Sequence, residues 1–170
     1  MPGPPTALLL IIRHAAAEDT AEGGTDLERG LTGKGQRQAA DLGRFLRHHG
    51  ILPQAILTSP AVRARQTAEI VAQNLGAGVQ VLHEEMLLPG ARPETILAHL
   101  GRWQGSWPVA LVGHEPDLGA LAGVLAGGPG SHPMPLKKSG LALFELERCA
   151  AGGGRLLWFL PPKLVRRFQA

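Results

Sequence analysis

The chain has 170 residues, 44% of them hydrophobic and 18% charged, with a formal net charge of +3. That length suits a single domain spanning 1–170, and the balance excludes a disordered or membrane-embedded chain. The positive balance comes mostly from scattered arginines, which excludes the basic stripe of a nucleic-acid binder and remains compatible with an anionic substrate.

Residues 1–6, Met1-Pro2-Gly3-Pro4-Pro5-Thr6, read as a disordered or extended lead-in. Ala7 to Ile12 is an unbroken apolar run ending in two β-branched residues, the pattern of a strand buried on both faces. The run is too short to span a bilayer and has no basic leader, so neither an anchor nor a signal peptide is expected. It stops at Arg13-His14-Ala15. A polar loop follows, roughly Ala16 to Gly30, carrying Glu18, Asp19, Glu22, Asp26, Glu28 and Arg29; its length suits a functional lid or mobile segment. Thr32 is placed to cap a helix running to about His48, with Ala39, Ala40, Leu42, Phe45 and Leu46 as its apolar face and Gly50 ending it.

Ala55 to Ser59 is a second strand. Ser59-Pro60 is expected to open the next helix, with a hydroxyl cap and proline at the first helical position, and Gly76 closes it. Val79 to Leu82 forms a third strand, and Pro93 to about Leu100 a short helix. Pro108 to Gly113 is a fourth strand, followed by a helix from Pro116 through Leu125. Leu141–Leu146 and Arg155–Leu160 flank the small-residue turn Ala151-Gly152-Gly153-Gly154 and read as an antiparallel hairpin. The tail from Pro161 is read as a packed or frayed terminus rather than a membrane-binding one. Alternating strands and helices give an α/β fold: a three-layer α/β/α sandwich around a mostly parallel sheet, with that hairpin at its C-terminal end.

Function is carried by where the unusual residues fall. The first strand ends at Arg13-His14, the second at Ser59-Pro60 with Arg63 one turn into the next helix, and the fourth at Gly113-His114-Glu115. In a parallel sheet these ends share one edge, where ligands bind and helix N-termini direct unpaired N–H groups. Arg13 and Arg63 offer forked donors for a phosphate, His14 can attack phosphorus, and His114 can be the charged partner that stabilises the transferring phosphoryl group. Nearby cations are expected to hold His14 neutral.

These residues resemble the histidine phosphatase (phosphoglycerate-mutase-like) superfamily. Arg13-His14-Ala15 is similar to its Arg-His-Gly signature, with alanine in place of the usual glycine. Leu31-Thr32-Gly33-Lys34-Gly35-Gln36, Ser59-Pro60-Ala61-Val62-Arg63-Ala64-Arg65-Gln66-Thr67-Ala68 and Val112-Gly113-His114-Glu115-Pro116 resemble three further motifs, in the family's order. The resemblance implies a metal-independent phosphatase with no cofactor, His14 as phospho-accepting nucleophile, and Arg13, Arg63 and His114 as its phosphate pocket. The short chain and the stretch Asp26 to Thr32 look most like the SixA-type phosphohistidine phosphatases.

The family's acidic motif after the third strand is not recognisable, so the candidate proton donors are Glu18, Asp19, Glu84 and Glu85. A weakly defined acid favours a phosphohistidine substrate, because an imidazole leaves without the help an alkoxide needs. The expected partner is a phosphohistidine-bearing signalling protein, with small phosphomonoesters as the alternative substrate class. A phosphate-binding regulatory module without turnover is a further alternative. No nucleic-acid or membrane partner is expected. Cys149, the one cysteine, cannot form an internal disulfide, which favours a cytoplasmic setting. Other motif readings fail on spacing: Gly33-Lys34-Gly35 lacks the frame of a nucleotide-binding loop, and His83-Glu84-Glu85 lacks the second histidine of a zinc helix. Trp103 and Trp107 are read as packing residues, with a docking rim as the bolder reading.

Overall fold

The computed structural model describes residues 7–76 and 78–168. The chain order is β1 (Ala7–Arg13), α1 (Gly33–His48), β2 (Ala55–Thr58), α2 (Val62–Leu75), β3 (Gln80–His83), α3 (Pro93–Leu100), β4 (Val109–Gly113), α4 (Asp117–Gly127), β5 (Leu141–Leu146), β6 (Gly154–Leu160) and α5 (Pro162–Arg167). The strands form one sheet in the order β3-β2-β4-β1-β5-β6. β3, β2, β4 and β1 run parallel, and β5 and β6 complete the sheet antiparallel. The expected α/β architecture is the one observed.

Alternation along the central strands sorts side chains onto two faces. Leu10, Ile12, Ile56, Ala110 and Val112 face one way and pack with Phe45 and Leu46 of α1, Ala68 and Val71 of α2, and Val165 of α5. Leu9, Ile11, Leu57, Val109 and Leu111 face the other way, against Ile96 and Leu100 of α3 and Leu118 and Leu121 of α4. Both faces are covered, which is why β1, β2 and β4 read as continuous apolar runs instead of alternating ones. The tail packs: α5 lies on α1 and Val165 is buried. Trp103 and Trp107 pack against the second cluster, as expected of packing residues. The proposed lead-in at residues 1–6 lies outside the described residues. Among those described, no helix is long and apolar enough to cross a membrane.

Thr32 caps α1 as expected, its hydroxyl accepting from the Gly35 N–H at 3.0 Å. The start of α2 is a correction. The helix begins at Val62 with Ala61 as N-cap residue and no side-chain cap, so Pro60 lies before its first turn. Ser59 Oγ accepts from the N–H of Ala61, before the helix, at 3.3 Å and also lies 2.8 Å from His114 Nε2.

The loop after β1 is closed at its base by a bridge between Ala17 and Leu31 and contains a 3-10 turn at Asp26–Glu28. Gly35 makes that closure possible, because a Cβ there would stand 1.9 Å from the Ala16 carbonyl oxygen. The chain two residues beyond His14 therefore rests directly on the first turn of α1. Gly35→Ala is expected to destabilise the fold by about 2–3 kcal/mol, in the range of an overpacked core site. Urea unfolding measures this; a midpoint equal to that of the parent would contradict the contact.

Candidate active site

Strand register brings the predicted ends together. Arg13 pairs with Gly113, and Thr58 with Val112. The His14 N–H donates to the Gly113 carbonyl at 3.0 Å, and the Ser59 N–H to the Val112 carbonyl at 2.9 Å. The rings of His14 and His114 consequently lie 5.2 Å apart, centroid to centroid. His14, His114 and Arg63 are all buried. The backbone after His14 is held by side chains: the Ala15 N–H donates to Thr67 Oγ1 and the Ala16 N–H to Gln38 Oε1, each at 3.1 Å. The Ala15 methyl is fully buried in the first core cluster, so alanine fits where glycine is usual.

His14 Nδ1 is 2.8 Å from the carbonyl oxygen of Ala15. A carbonyl only accepts, so Nδ1 carries the proton and Nε2 keeps its lone pair. Burial lowers the His14 pKa to about 4; the Ala15 hydrogen bond opposes this, and the charges of Arg63, Arg13 and Lys138 add to it. Cations do act in the expected direction, but loss of solvent is the larger cause. The charge expected on His114 belongs to the state with a phosphoryl group bound; in the free site the ring is uncharged. Burial, followed by the fields of His14 and Arg63, pushes its pKa down to about 3, with Asp26 opposing, so near neutral pH the ring is uncharged.

Both arginines are held by their terminal nitrogens. Arg13 Nη1 donates to the Leu136 carbonyl at 2.9 Å. Arg63 Nη1 donates to the Asp26 carbonyl at 2.7 Å, and its Nη2 pairs with Asp26 Oδ2 at 3.0 Å. Among the described residues, the buried side-chain polar atoms with no hydrogen-bond partner are Arg13 Nε, Arg63 Nε, His114 Nδ1 and Ser139 Oγ. Buried N–H donors without acceptors are costly, on the order of 1–3 kcal/mol each, so a cluster of them marks a place for an anion. Among the described residues no group of three or more His, Cys, Asp or Glu is arranged to hold a metal ion.

Three contributors were not singled out from the sequence. Asp26 reaches from the loop to Arg63 and also binds Arg29, whose hydrogen bond is the chief cause holding the Asp26 carboxyl below its usual range. Ser139 donates its N–H to the carbonyls of Arg13 and His14, at 3.1 Å each. Glu115 Oε1 accepts from the Leu136 N–H at 3.2 Å, bracing the segment that holds Arg13. The four candidate acids are not drawn in: among the described residues Glu18, Asp19, Glu84 and Glu85 make no hydrogen bond or ion pair with Arg13, His14, Arg63 or His114. Glu84 is engaged by His99 at 3.6 Å, and the side chains of Glu18, Asp19 and Glu85 are exposed.

The depressed histidines make stability depend on pH. The unfolded chain takes up protons near its ordinary value of 6.5, whereas folded His14 waits until about 4. As pH falls through that window the unfolded state gains protons first, so stability is lost at about 1.4 kcal/mol per pH unit for each such group. The stability lost between about pH 7 and about pH 5 should be roughly halved in His14→Asn, which removes one of the two histidines whose pKa is depressed by folding. Urea titrations at the two pH values test this, and equal losses in variant and parent would contradict it.

Comparison with known proteins places this arrangement. Residues 9–88 match the model of the histidine phosphatase superfamily, branch 1. An uncharacterised protein of Picosynechococcus sp. is 40% identical over 136 residues, covering 78% of this chain and 81% of that protein. Phosphohistidine phosphatase SixA of Escherichia coli is 29% identical, covering 95% of this chain and 98% of SixA. A solved structure of the protein histidine phosphatase SixA complexed with tungstate superposes with a TM-score of 0.80 at 28% identity, covering 93% of this chain and 99% of that one. The SixA protein from Agrobacterium tumefaciens gives 0.75 at 30% identity, with 93% and 99% covered. The chain belongs to the histidine phosphatase superfamily, among its SixA-like members.

Proposed function

We propose that this protein hydrolyses phosphohistidine on a signalling protein through a covalent phosphohistidine intermediate on His14. The observation that carries the reading is the set of buried, unpartnered N–H groups on Arg13 and Arg63 beside a neutral histidine whose Nε2 is unprotonated. That a SixA structure of similar fold is complexed with tungstate supports an oxyanion as the kind of ligand. Arg13 and Arg63 neutralise the equatorial oxygens as His14 Nε2 forms a bond to phosphorus and the substrate's P–N bond breaks. The electron pair of that bond goes to the departing nitrogen. A phosphoimidazole protonated on its distal nitrogen leaves as neutral imidazole, so no acid of the enzyme is required. Water then attacks phosphorus, the pair of the His14–phosphorus bond returns to Nε2, and phosphate departs. A dianion beside His114 raises the pKa of that ring from its low free-site value, which lets it become the charged partner during transfer.

Small phosphomonoesters fit less well. Their alkoxide leaving group needs a proton donor, typically worth about 10²–10⁴-fold, and none of the four candidate acids makes a hydrogen bond or ion pair with Arg13, His14, Arg63 or His114. A substrate panel at fixed pH tests the choice. A phosphohistidine protein should be turned over with the highest kcat/KM, and far faster cleavage of sugar or nucleotide phosphates would overturn the assignment.

A further inference from the structure

The mouth of the site is electrically lopsided, and the sheet order shows how. From β2 through β4 and β1 to β5, the strand ends present Arg63, then His114, then Arg13 and His14, then the turn that enters β5. Neighbouring strands are about 4.8 Å apart, so the two flanks stand roughly 15 Å from each other. The β2 flank carries the acidic loop, with Asp26 on Arg63 and exposed Glu18, Glu22 and Glu28. The β5 flank carries Lys137 and Lys138, both exposed.

The lysine turn is built rigidly onto the nucleophile's own backbone. Leu136 and Ser139, on either side of the pair, are 2% and 1% exposed. The Leu136 carbonyl holds the Arg13 guanidinium, and the Gly140 carbonyl accepts the Arg13 N–H at 3.2 Å. The Ser139 N–H reaches the carbonyls of both Arg13 and His14. Ser139 has φ of 59°, in the left-handed region that costs a non-glycine residue about 1–2 kcal/mol. The strain is tolerated because these bonds fix the turn. The backbone of the turn that carries the lysines is thereby fixed beside Arg13 and His14.

Their ammonium groups are also uncommitted. Arg29, Arg44, Arg63, Arg65 and Arg155 each pair with a carboxylate, whereas among the described residues Lys137 and Lys138 form no ion pair. The field of Lys138 nonetheless reaches the His14 ring.

We propose that Lys138, supported by Lys137, is a docking cation that receives an acidic side chain lying beside the phosphohistidine of the partner protein. This rests on the phosphohistidine reading above. An ammonium is a compact point charge on a flexible stem, so an exposed, unpaired one can follow a carboxylate on an approaching surface. Charge complementarity also orients the partner, since the acidic loop on the opposite flank repels the same carboxylate.

The test uses two synthetic phosphohistidine peptides that differ only in glutamate or glutamine next to the phosphohistidine. The wild-type protein should prefer the glutamate peptide by about three- to fivefold in kcat/KM, the worth of one exposed ion pair. Lys138→Gln should bring the ratio to about one, and Lys138→Glu should invert it. Because a ratio is read, any uniform effect of the variants on the pocket cancels. Equal turnover of both peptides by the wild type, or a preference unchanged in Lys138→Gln, overturns the docking role and leaves the phosphohistidine reading standing. A greater loss on a small bisphosphorylated ester than on the glutamate peptide overturns it in favour of a second phosphate. Turnover of p-nitrophenyl phosphate with neither peptide cleaved overturns the phosphohistidine reading, and this proposal with it.

Discussion

Replacing His14 with asparagine should lower kcat by at least about 10⁴-fold, the scale seen when a covalent nucleophile is removed. Asparagine occupies similar space, and its amide N–H can keep the bond that Nδ1 now makes to the Ala15 carbonyl. It offers no basic nitrogen to attack phosphorus. Because His14 is only 7% exposed and sits in a packed site, alanine would leave a cavity as well, so asparagine separates lost chemistry from lost stability. Steady-state kinetics beside a thermal melt make the measurement. A folded variant that retained more than about a tenth of the parental rate would exclude His14 as nucleophile.

Arg63→Lys should cost about 10²–10³-fold in kcat/KM, or roughly 3–4 kcal/mol of transition-state stabilisation. The arginine serves two neighbours at once. Its terminal nitrogens hold the Asp26 carbonyl and carboxylate, leaving the buried Nε–H for the phosphoryl group. One ammonium cannot do both, so conserving the charge does not conserve the function. The same change unlatches the loop, and limited proteolysis between residues 16 and 30 should speed up. Asp26→Asn should be milder, about tenfold, because the backbone bond to Nη1 survives the substitution. If Arg63→Lys retained near-parental kcat/KM, the shared role of the guanidinium would be wrong.

What was legible in the sequence was local. The apolar runs of β1 and β4 and the Thr32 cap depend on neighbours a few residues away. The convergence of Arg13, His14, Arg63 and His114 followed from the rule that parallel strands share an edge. What escaped was set by contacts between distant segments. Asp26 lies 37 residues from Arg63, and only the folded loop shows that its carboxylate, though exposed, meets Arg63 while Glu18 and Asp19 do not. Ser139 carried no signal, since nothing nearby in the chain reveals that its N–H will meet the carbonyls of Arg13 and His14. Ser59 was misread for a related reason. Ser-Pro before a helix is a sound local capping signal, yet here the hydroxyl is recruited by His114. The two histidines show the same boundary: the sequence placed cations near His14, but the degree of burial that dominates both pKa values belongs to the packed structure.

The most direct test of the account is to trap the intermediate. The protein is mixed with a ³²P-labelled phosphohistidine protein, quenched in alkali within the first turnover, and mapped by peptide mass spectrometry. An acid-labile, alkali-stable phosphoryl group is expected on His14 and should be absent in His14→Asn. Label on any other residue, or turnover with no phosphoenzyme at any quench time, would contradict it.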